Sequence, residues 1–332
     1  MNKILICFGT RPEYIKVKSL IDNIVGLKTL FTGQHEDLIN LKNINPDYIM
    51  KIDKTLSSNR LNNIIGNILK YSEPFDMIEW VLIQGDTTSA LSIALSAFNH
   101  GKKIIYLEAG LRSYDLTNPF PEEANRQIIS RLAHIHLCPT QINKLNLEKE
   151  QVYGQIHIVG NTGLDQIDVI NCEYTNLVLI TLHRRDNLNL ISEWFRIFEI
   201  IALKYYQIKF IYILHPNPEI TKHIHIFSHI NVIHPIEHHD MIQLIKKCKF
   251  VISDSGGIQE ECSFLKKKII ICRKNTERVE IIDNIGLLCP NPDNLILIVD
   301  NLINNYVVDN SYLCPFGDGS SWIKIKKIFD TL

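Results

Sequence analysis

The sequence predicts two doubly wound α/β domains that face each other across a cleft. Three observations carry that expectation. Short apolar runs alternate with helix-period segments along most of the 332 residues, the pattern of parallel sheets covered by helices. The alternation is interrupted near Asp165–Asn176, a polar stretch, and then begins again. Polar clusters, several carrying glycine, follow the apolar runs in both halves, where open α/β sheets bind their ligands.

Each element has its own signal. In the first half the apolar runs Ile4–Phe8, Thr29–Phe31, Val81–Ile83, Ile104–Leu107 and Ile135–Cys138 read as strands. Between them Glu13–Asn23, Asn59–Tyr71, Thr88–Asn99, Glu122–Ala133 and Gln141–Glu150 carry helical periodicity. The second half repeats the scheme with strands Leu177–Leu182, Phe210–Leu214, Asn231–Ile233, Phe250–Ser253 and Lys268–Cys272. Its helices are Leu190–Tyr205, His239–Lys246, Ile258–Leu265 and Asp293–Asn304. At roughly 150 residues per domain the length suits two domains, placed at 1–168 and 169–318. A last helix near Ser321–Phe329, within segment 319–332, is free to pack back on the first.

Composition narrows the function. A net charge of −1 argues against a nucleic-acid or membrane-surface protein, which would carry a basic excess. The eight cysteines form no C-x-x-C pair and sit mostly in apolar runs, as buried small hydrophobes in a reducing compartment do. The chain opens directly on a strand, and no apolar run approaches the roughly 18 residues of a membrane span. A soluble, cytoplasmic protein is expected.

The strand ends are followed by Gly9-Thr10-Arg11, Gly33-Gln34-His35, Gly85-Asp86-Thr87, Glu108-Ala109-Gly110, His183-Arg184-Arg185, His215-Pro216 and Asp254-Ser255-Gly256-Gly257. Their repetition in both halves is what points to the cleft. The densest stretch, Glu108 to Arg126, is a long charged loop at the end of a buried strand, with Glu108, Asp115, Glu122 and Glu123 set against Arg112 and Arg126. Asp86, Glu108 and Glu122 are the candidate acid/base carboxylates; Asp86 could equally cap the helix that follows it. Ser255, Gly256 and Gly257 open a helix where backbone N–H groups and the helix dipole suit a phosphate, and Glu261 one turn on could accept from ribose hydroxyls. A plain capped helix start reads the same way locally. Arg11, Lys16, Arg112, Arg184 and Arg185 supply cations for a diphosphate, Arg11 and Arg184 foremost, while Lys16 could be an exposed helix-face residue. His183 and His215 each follow a strongly apolar strand and could contact phosphate, sugar or a moving proton. His134-x-His136 and His223-x-His225 lack a third ligand nearby, so no metal is expected, and His238-His239 reads as a solvated helix start. The first strand lacks G-x-G-x-x-G, so a dinucleotide coenzyme on that turn is not expected.

With these groups in place, the chain resembles the non-hydrolysing UDP-N-acetylglucosamine 2-epimerase family. The resemblance lies in Gly9-Thr-Arg-Pro-Glu-Tyr-Ile-Lys16, Thr32-Gly-Gln-His35, Gly85-Asp-Thr-Thr88, Glu108-Ala-Gly-Leu-Arg112, Pro121-Glu-Glu-Ala-Asn-Arg126 and Val159-Gly-Asn-Thr162. It continues through Leu182-His-Arg-Arg185, Asp254 to Glu261 and Thr276-Glu-Arg278, in the family's order over nearly the whole length. It implies two Rossmann-like domains in the glycosyltransferase-B arrangement, a hinge, a homodimer, a UDP-N-acetylhexosamine substrate and no cofactor. It also implies elimination of UDP to 2-acetamidoglucal, then re-addition with protonation of carbon 2 from the opposite face. Asp86, Glu108, Glu122 and His183 take the catalytic places. Arg11, Lys16, Arg112, Arg126, Arg184, His215, Ser255, Gly256, Gly257 and Glu261 take the substrate and UDP.

Some positions depart from the family. Relatives activated by a second UDP-GlcNAc carry Gln where this chain has Asp37, and their Arg after Thr55-Leu56 is replaced by Asn62, with Arg60 two residues earlier. The regulatory site is therefore not carried over. Near Met241 the family often carries an aromatic that packs on uracil, for which Met would be a softer substitute. These departures leave room for a 6-deoxy UDP-N-acetylhexosamine, such as UDP-L-QuiNAc converted to UDP-L-RhaNAc. A hydrolysing epimerase, a glycosyltransferase of the same architecture and a non-catalytic nucleotide-sugar sensor are the remaining alternatives.

Overall fold

A computed structural model describes residues 3–35, 44–170, 172–307, 309 and 311–332. Asp37 lies outside the described residues. The chain divides into two compact units, residues 1–166 with 317–332, and residues 167–316.

The first unit is built on a seven-stranded parallel sheet. Its strands are β1 (Ile4–Phe8), β2 (Lys28–Phe31), β3 (Tyr48–Ile49), β4 (Trp80–Gln84), β5 (Lys103–Leu107), β6 (Ile135–Cys138) and β7 (Gln155–Ile158). They run in the order β3-β2-β1-β4-β5-β6-β7. The helices are α1 (Arg11–Asn23), α2 (Arg60–Leu69), α3 (Thr88–Asn99), α4 (Glu122–Leu132) and α5 (Gln141–Lys149). Strand β1 shows why the inner strands are continuous apolar runs. Leu5 and Cys7 enter one core, with Ile64, Ile68 and Ile93, while Ile4, Ile6 and Phe8 enter a second core on the other face, with Val17 and Leu20. The C-terminal helix of the chain, Ser321–Phe329, completes that second core through Ile325 and Phe329. Asp165 ties its start, accepting from the N–H groups of Ser321 at 2.8 Å and Trp322 at 2.9 Å and from Ser19 Oγ at 3.0 Å.

The second unit repeats the plan with six parallel strands. They are β8 (Leu177–Thr181), β9 (Lys209–Ile213), β10 (Asn231–Ile233), β11 (Phe250–Ser253), β12 (Lys268–Ile271) and β13 (Gly286–Leu288), in the order β10-β9-β8-β11-β12-β13. Helices of one to four turns connect them: α6 (Arg185–Leu188), α7 (Ile191–Lys204), α8 (Pro218–Thr221), α9 (His238–Lys247), α10 (Gly256–Phe264) and α11 (Leu295–Asn304). Trp194, Phe195 and Phe198 of α7 fill the core with Tyr212 and Phe210. Of the strands, β3, β7 and β13 were not signalled by the sequence. All three lie at sheet edges and are short, and β7 is largely exposed, so no continuous apolar run marks them.

In each unit the strand order reverses beside the first strand, at β1 and β4 in the first and at β8 and β11 in the second. Loops leaving neighbouring strands there run to opposite faces of the sheet and open a crevice at the carboxyl ends. Gly9-Thr10-Arg11 and Gly85-Asp86 flank that point in the first unit, and His183-Arg184 and Asp254 to Gly257 flank it in the second.

Candidate active site

In the first unit the carboxylates gather at the ends of β4 and β5. Glu108 follows β5 directly and has φ +66°, a left-handed backbone that a non-glycine residue adopts at a cost of about 1 kcal/mol. Lys16, reaching from α1, places Nζ 3.2 Å from Glu108 Oε1, and the pair is only 14% and 12% exposed. Lys16 is thus half-buried against a carboxylate and is not an exposed helix-face residue. Gly163 makes room for it, because a Cβ there would lie 3.0 Å from Lys16 Cδ. The other oxygen of Glu108 accepts from Gln84 Nε2, at the last position of β4.

Asp86 lies at the end of β4, and it does not cap the next helix. Thr87 does, accepting the N–H of Ala90 at 3.0 Å. Asp86 instead meets Arg126, whose Nη2 and Nε approach Oδ2 at 2.6 and 2.8 Å. Asn125 donates to the Asp86 carbonyl at 2.7 Å. Both partners come from α4, whose first residue is the half-buried Glu122. Arg126 is held on its other side by the fully buried Glu123 at 3.2 Å, and Glu123 also accepts the N–H of Ser113 at 2.9 Å. The loop, the helix and the end of β4 are therefore one hydrogen-bonded assembly.

Arg112 has a different place from the expected one. Its side chain is buried, paired through Nε and Nη2 with Glu150 at 2.7 and 2.9 Å, and it also donates to Leu111 O and Ser130 Oγ. It anchors the loop from inside the unit, with no face presented to a ligand. Arg11, half-buried at the start of α1, donates its backbone N–H to His35 Nδ1 at 3.4 Å. Arg60 is exposed at the start of α2, and its charge adds to burial in holding His35 below the ordinary imidazole range.

Glu13 went unnoticed in the sequence although Thr10-x-x-Glu13 is a capping-box pattern. Its Oε2 accepts the N–H groups of Gly9 and Thr10 at 2.7 and 2.8 Å, and Oε1 accepts from Thr87 Oγ1 at 2.5 Å. It thereby ties the turn after β1 to the turn after β4. Burial raises its pKa, opposed by these hydrogen bonds.

The second unit carries a separate set. Asp254, fully buried, accepts the backbone N–H groups of His183 and Arg184. The His183 ring stacks on His215, with centroids 5.2 Å apart and planes 9° apart. Burial lowers the His215 pKa, and neighbouring His183 pushes it the same way while Asp254 opposes. The Ser255 side chain makes no capping hydrogen bond, so α10 is not a plain capped start. Gly256 sits against Arg278, where an added Cβ would lie 2.6 Å from Nη1; at Gly257 nothing comes within 4 Å. Arg278 is held by Glu260 through Nε at 2.7 Å and by Glu277 through Nη1 at 2.5 Å, all three buried. Glu261 Oε1 pairs with His238 Nε2 at 2.7 Å, so His238 is a partner of the site and only His239 is exposed. Glu261 Oε2 is buried without a hydrogen-bond partner among the described residues. Arg184 is half-buried, Arg185 is exposed and Met241 is half-buried on α9.

Of the paired histidines elsewhere, His134 and His136 are structural. His136 Nε2 donates to the Tyr153 carbonyl at 2.9 Å, and His134 packs edge-on to Trp80 and Tyr153. Among the described residues no group of three His, Cys, Asp or Glu is arranged to hold a metal, and no helix is long and apolar enough to cross a membrane.

The sequence model of the UDP-N-acetylglucosamine 2-epimerase family matches residues 20–330. The chain is 36% identical to a UDP-N-acetylglucosamine 2-epimerase of Campylobacter jejuni, over 99% of this chain and 97% of that one. It is 31% identical to the enzyme of the same name from Salmonella borreze, over 100% and 99%. Among solved structures it resembles the UDP-GlcNAc 2-epimerase of Neisseria meningitidis bound to UDP-GlcNAc, with a TM-score of 0.87, 30% identity and coverage of 99% and 100%. The Methanocaldococcus jannaschii UDP-GlcNAc 2-epimerase, in complex with UDP-GlcNAc and UDP, gives a TM-score of 0.80 at 28% identity, with 99% of both chains covered.

Proposed function

The chain belongs to the UDP-N-acetylglucosamine 2-epimerase family, and from that premise we propose that it interconverts UDP-GlcNAc and UDP-ManNAc. The observation that carries the chemistry is the assembly at the ends of β4 and β5, where Asp86 and Glu108 stand beside Lys16 and Arg126. Carbon 2 of the sugar has no carbonyl neighbour, so its proton is too weakly acidic for simple removal and return. Elimination avoids that difficulty. A base takes the proton from carbon 2, the bond from carbon 1 to oxygen breaks, and the electron pair leaves with UDP. Re-addition of UDP to carbon 1 with a proton delivered to the opposite face of carbon 2 gives the epimer. The reaction is balanced without a redox cofactor.

Asp86, Glu108 and Glu122 form the acid/base set. Lys16 donates to Glu108 Oε1 at 3.2 Å and so holds that carboxylate in place. In the second unit Gly256 and Gly257 receive the diphosphate on the backbone N–H groups that begin α10, with the Ser255 side chain, Arg184 and His215 beside it. Departure of UDP is favoured by such preorganised donors. The ribose falls to Glu261, whose buried Oε2 would otherwise be a costly unsatisfied acceptor. Arg11 contributes charge at the start of α1. The eight unpaired cysteines support a cytoplasmic setting, and a homodimer, tested by sedimentation, follows the family resemblance.

Proton NMR of the protein with UDP-GlcNAc in D2O tests the reading. UDP-ManNAc bearing deuterium at carbon 2 is expected. Free ManNAc with UDP would reassign the chain to the hydrolysing reaction, and an unchanged spectrum would overturn the proposed substrate.

A further inference from the structure

Asp254 lies behind the His183 ring and is fixed on all sides. Its Oδ2 accepts the N–H of His183 at 3.0 Å, the N–H of Arg184 at 2.8 Å and Asn187 Nδ2 at 3.0 Å. Asn187 is itself held, donating to the Cys272 carbonyl at 2.9 Å and accepting from Trp194 Nε1 at 3.2 Å. Trp194 is buried in the centre of the unit, so a line of hydrogen bonds runs from the core to the carboxylate. The second oxygen, Oδ1, shares the His183 N–H at 3.2 Å and lies 3.4 Å from His183 Nδ1. Such a contact is long for a hydrogen bond without ligand, and catalytic contacts commonly tighten when substrate binds.

An ionised carboxylate only accepts hydrogen bonds. A neutral His183 therefore turns an Nδ1–H toward Asp254 and leaves its lone pair on Nε2. The stacked ring is set the opposite way: His215 Nδ1 accepts the N–H of Asn217 at 3.2 Å, which leaves its proton on Nε2. Two parallel imidazoles thus present different nitrogens, one an acceptor and one a donor.

We propose that Asp254 is the positioning residue for His183, holding the ring proton on Nδ1 so that Nε2 accepts a proton from the UDP-sugar reaction. The proposal rests on the reading of His183 as a catalytic group. In the elimination the C2–H bond breaks, its proton goes to Nε2 and the electron pair of the carbon 1–oxygen bond leaves with UDP, while Asp254 balances the imidazolium charge. In the re-addition a carboxyl group of the acid/base set protonates carbon 2 from the opposite face, and both groups then exchange their protons with water.

Asp254→Asn is the decisive variant. An amide oxygen in the place of Oδ2 retains the three hydrogen bonds made there and gives up only the longer share of the His183 N–H at Oδ1, while the amide NH2 faces His183 Nδ1 and reverses the tautomer. Turnover is expected to fall by about 10² to 10⁴, as when an amide imposes the wrong tautomer on a catalytic histidine. KM and the Kd for UDP are expected to stay within about threefold, because the lost interaction belongs to the transition state. Nitrogen-15 NMR, with the His183 signals assigned by their loss in His183→Gln, is expected to show the proton on Nδ1 in the native chain and on Nε2 in Asp254→Asn. A purely structural Asp254 would weaken UDP binding along with turnover and leave the tautomer alone. The native spectrum is read even where the variant fails to fold, and a proton on Nε2 there would overturn the proposal. So would native turnover in a folded Asp254→Asn. Native turnover in His183→Gln would instead remove His183 from the reaction, a failure of the underlying reading that the tautomer measurement distinguishes.

Discussion

Gly256 and Gly257 are adjacent, share a helix start and are expected to fail in opposite ways when a methyl group is added. At Gly256 the new Cβ would lie 2.6 Å from Arg278 Nη1, 2.7 Å from Cζ and 3.0 Å from Nη2. The guanidinium cannot swing aside freely, since Glu260 and Glu277 hold it in a buried network. Moving it forfeits at least one charge-assisted hydrogen bond, about 1.5–3 kcal/mol, and overpacking adds roughly 1–3 kcal/mol. The better helix propensity of Ala offsets up to about 1 kcal/mol. A net loss of about 2–4 kcal/mol is expected for Gly256→Ala. At Gly257 the methyl meets no protein atom, so Gly257→Ala should leave stability within about 1 kcal/mol of native. Its methyl would still hold a diphosphate off the backbone N–H groups, and UDP binding should weaken at least about tenfold, the equivalent of one lost hydrogen bond. Urea denaturation followed through Trp194, buried in the same unit, measures the first effect, and titration calorimetry with UDP measures the second. Equal stability of the two variants would refute the fixed Arg278 platform. Native UDP affinity in Gly257→Ala would refute the placement of the diphosphate.

Three further outcomes follow from the first unit. Glu108→Gln should bind UDP as the native protein does while turnover falls by orders of magnitude, and unimpaired turnover would exclude Glu108 from the mechanism. Arg126→Met leaves the buried Glu123 and the neighbouring Asp86 without their shared cation, so about 3–5 kcal/mol of stability should be lost; a change below about 1 kcal/mol in urea denaturation would show that the pair is not buried as described. Glu13 gives a pH effect of defined sign. Its folded pKa is raised by burial above the ordinary 4.5, so its full stabilising contribution holds below that value and is lost as pH rises through the folded pKa. Stability of the native chain relative to Glu13→Gln should accordingly decline on moving up from pH 4.5, and a rise over that interval would contradict the assignment.

Much of the architecture was legible in the residues themselves. An inner strand such as β1 is covered on both faces, so it must be apolar at every position and stands out as a run. The glycine-bearing clusters after such strands were legible for a related reason, because turns at a switch point need backbone freedom and open N–H groups. The parallel arrangement of six and seven strands then follows from alternation with helices. Edge strand β3 lacked such a signal, since an edge of two residues buries too little to leave a pattern.

Tertiary structure alone decided which polar group meets which. Lys16 and Glu108 are 92 positions apart, and the packing of α1 against β1 and β4 brings them together. Arg112 finds Glu150 from 38 residues away and turns inward, whereas Arg126 turns to Asp86, although both arginines belong to the same charged stretch. Asp86 was released from capping because Thr87, one residue on, had the geometry for it. His183 and Asp254, on neighbouring strand ends but 71 positions apart, meet only because β8 and β11 pair in register. Local sequence determines periodicity and turn chemistry through short-range sterics. Long-range partners are selected by the packing of whole faces, where each buried charge must find its counterpart, and that selection exists only in the folded chain.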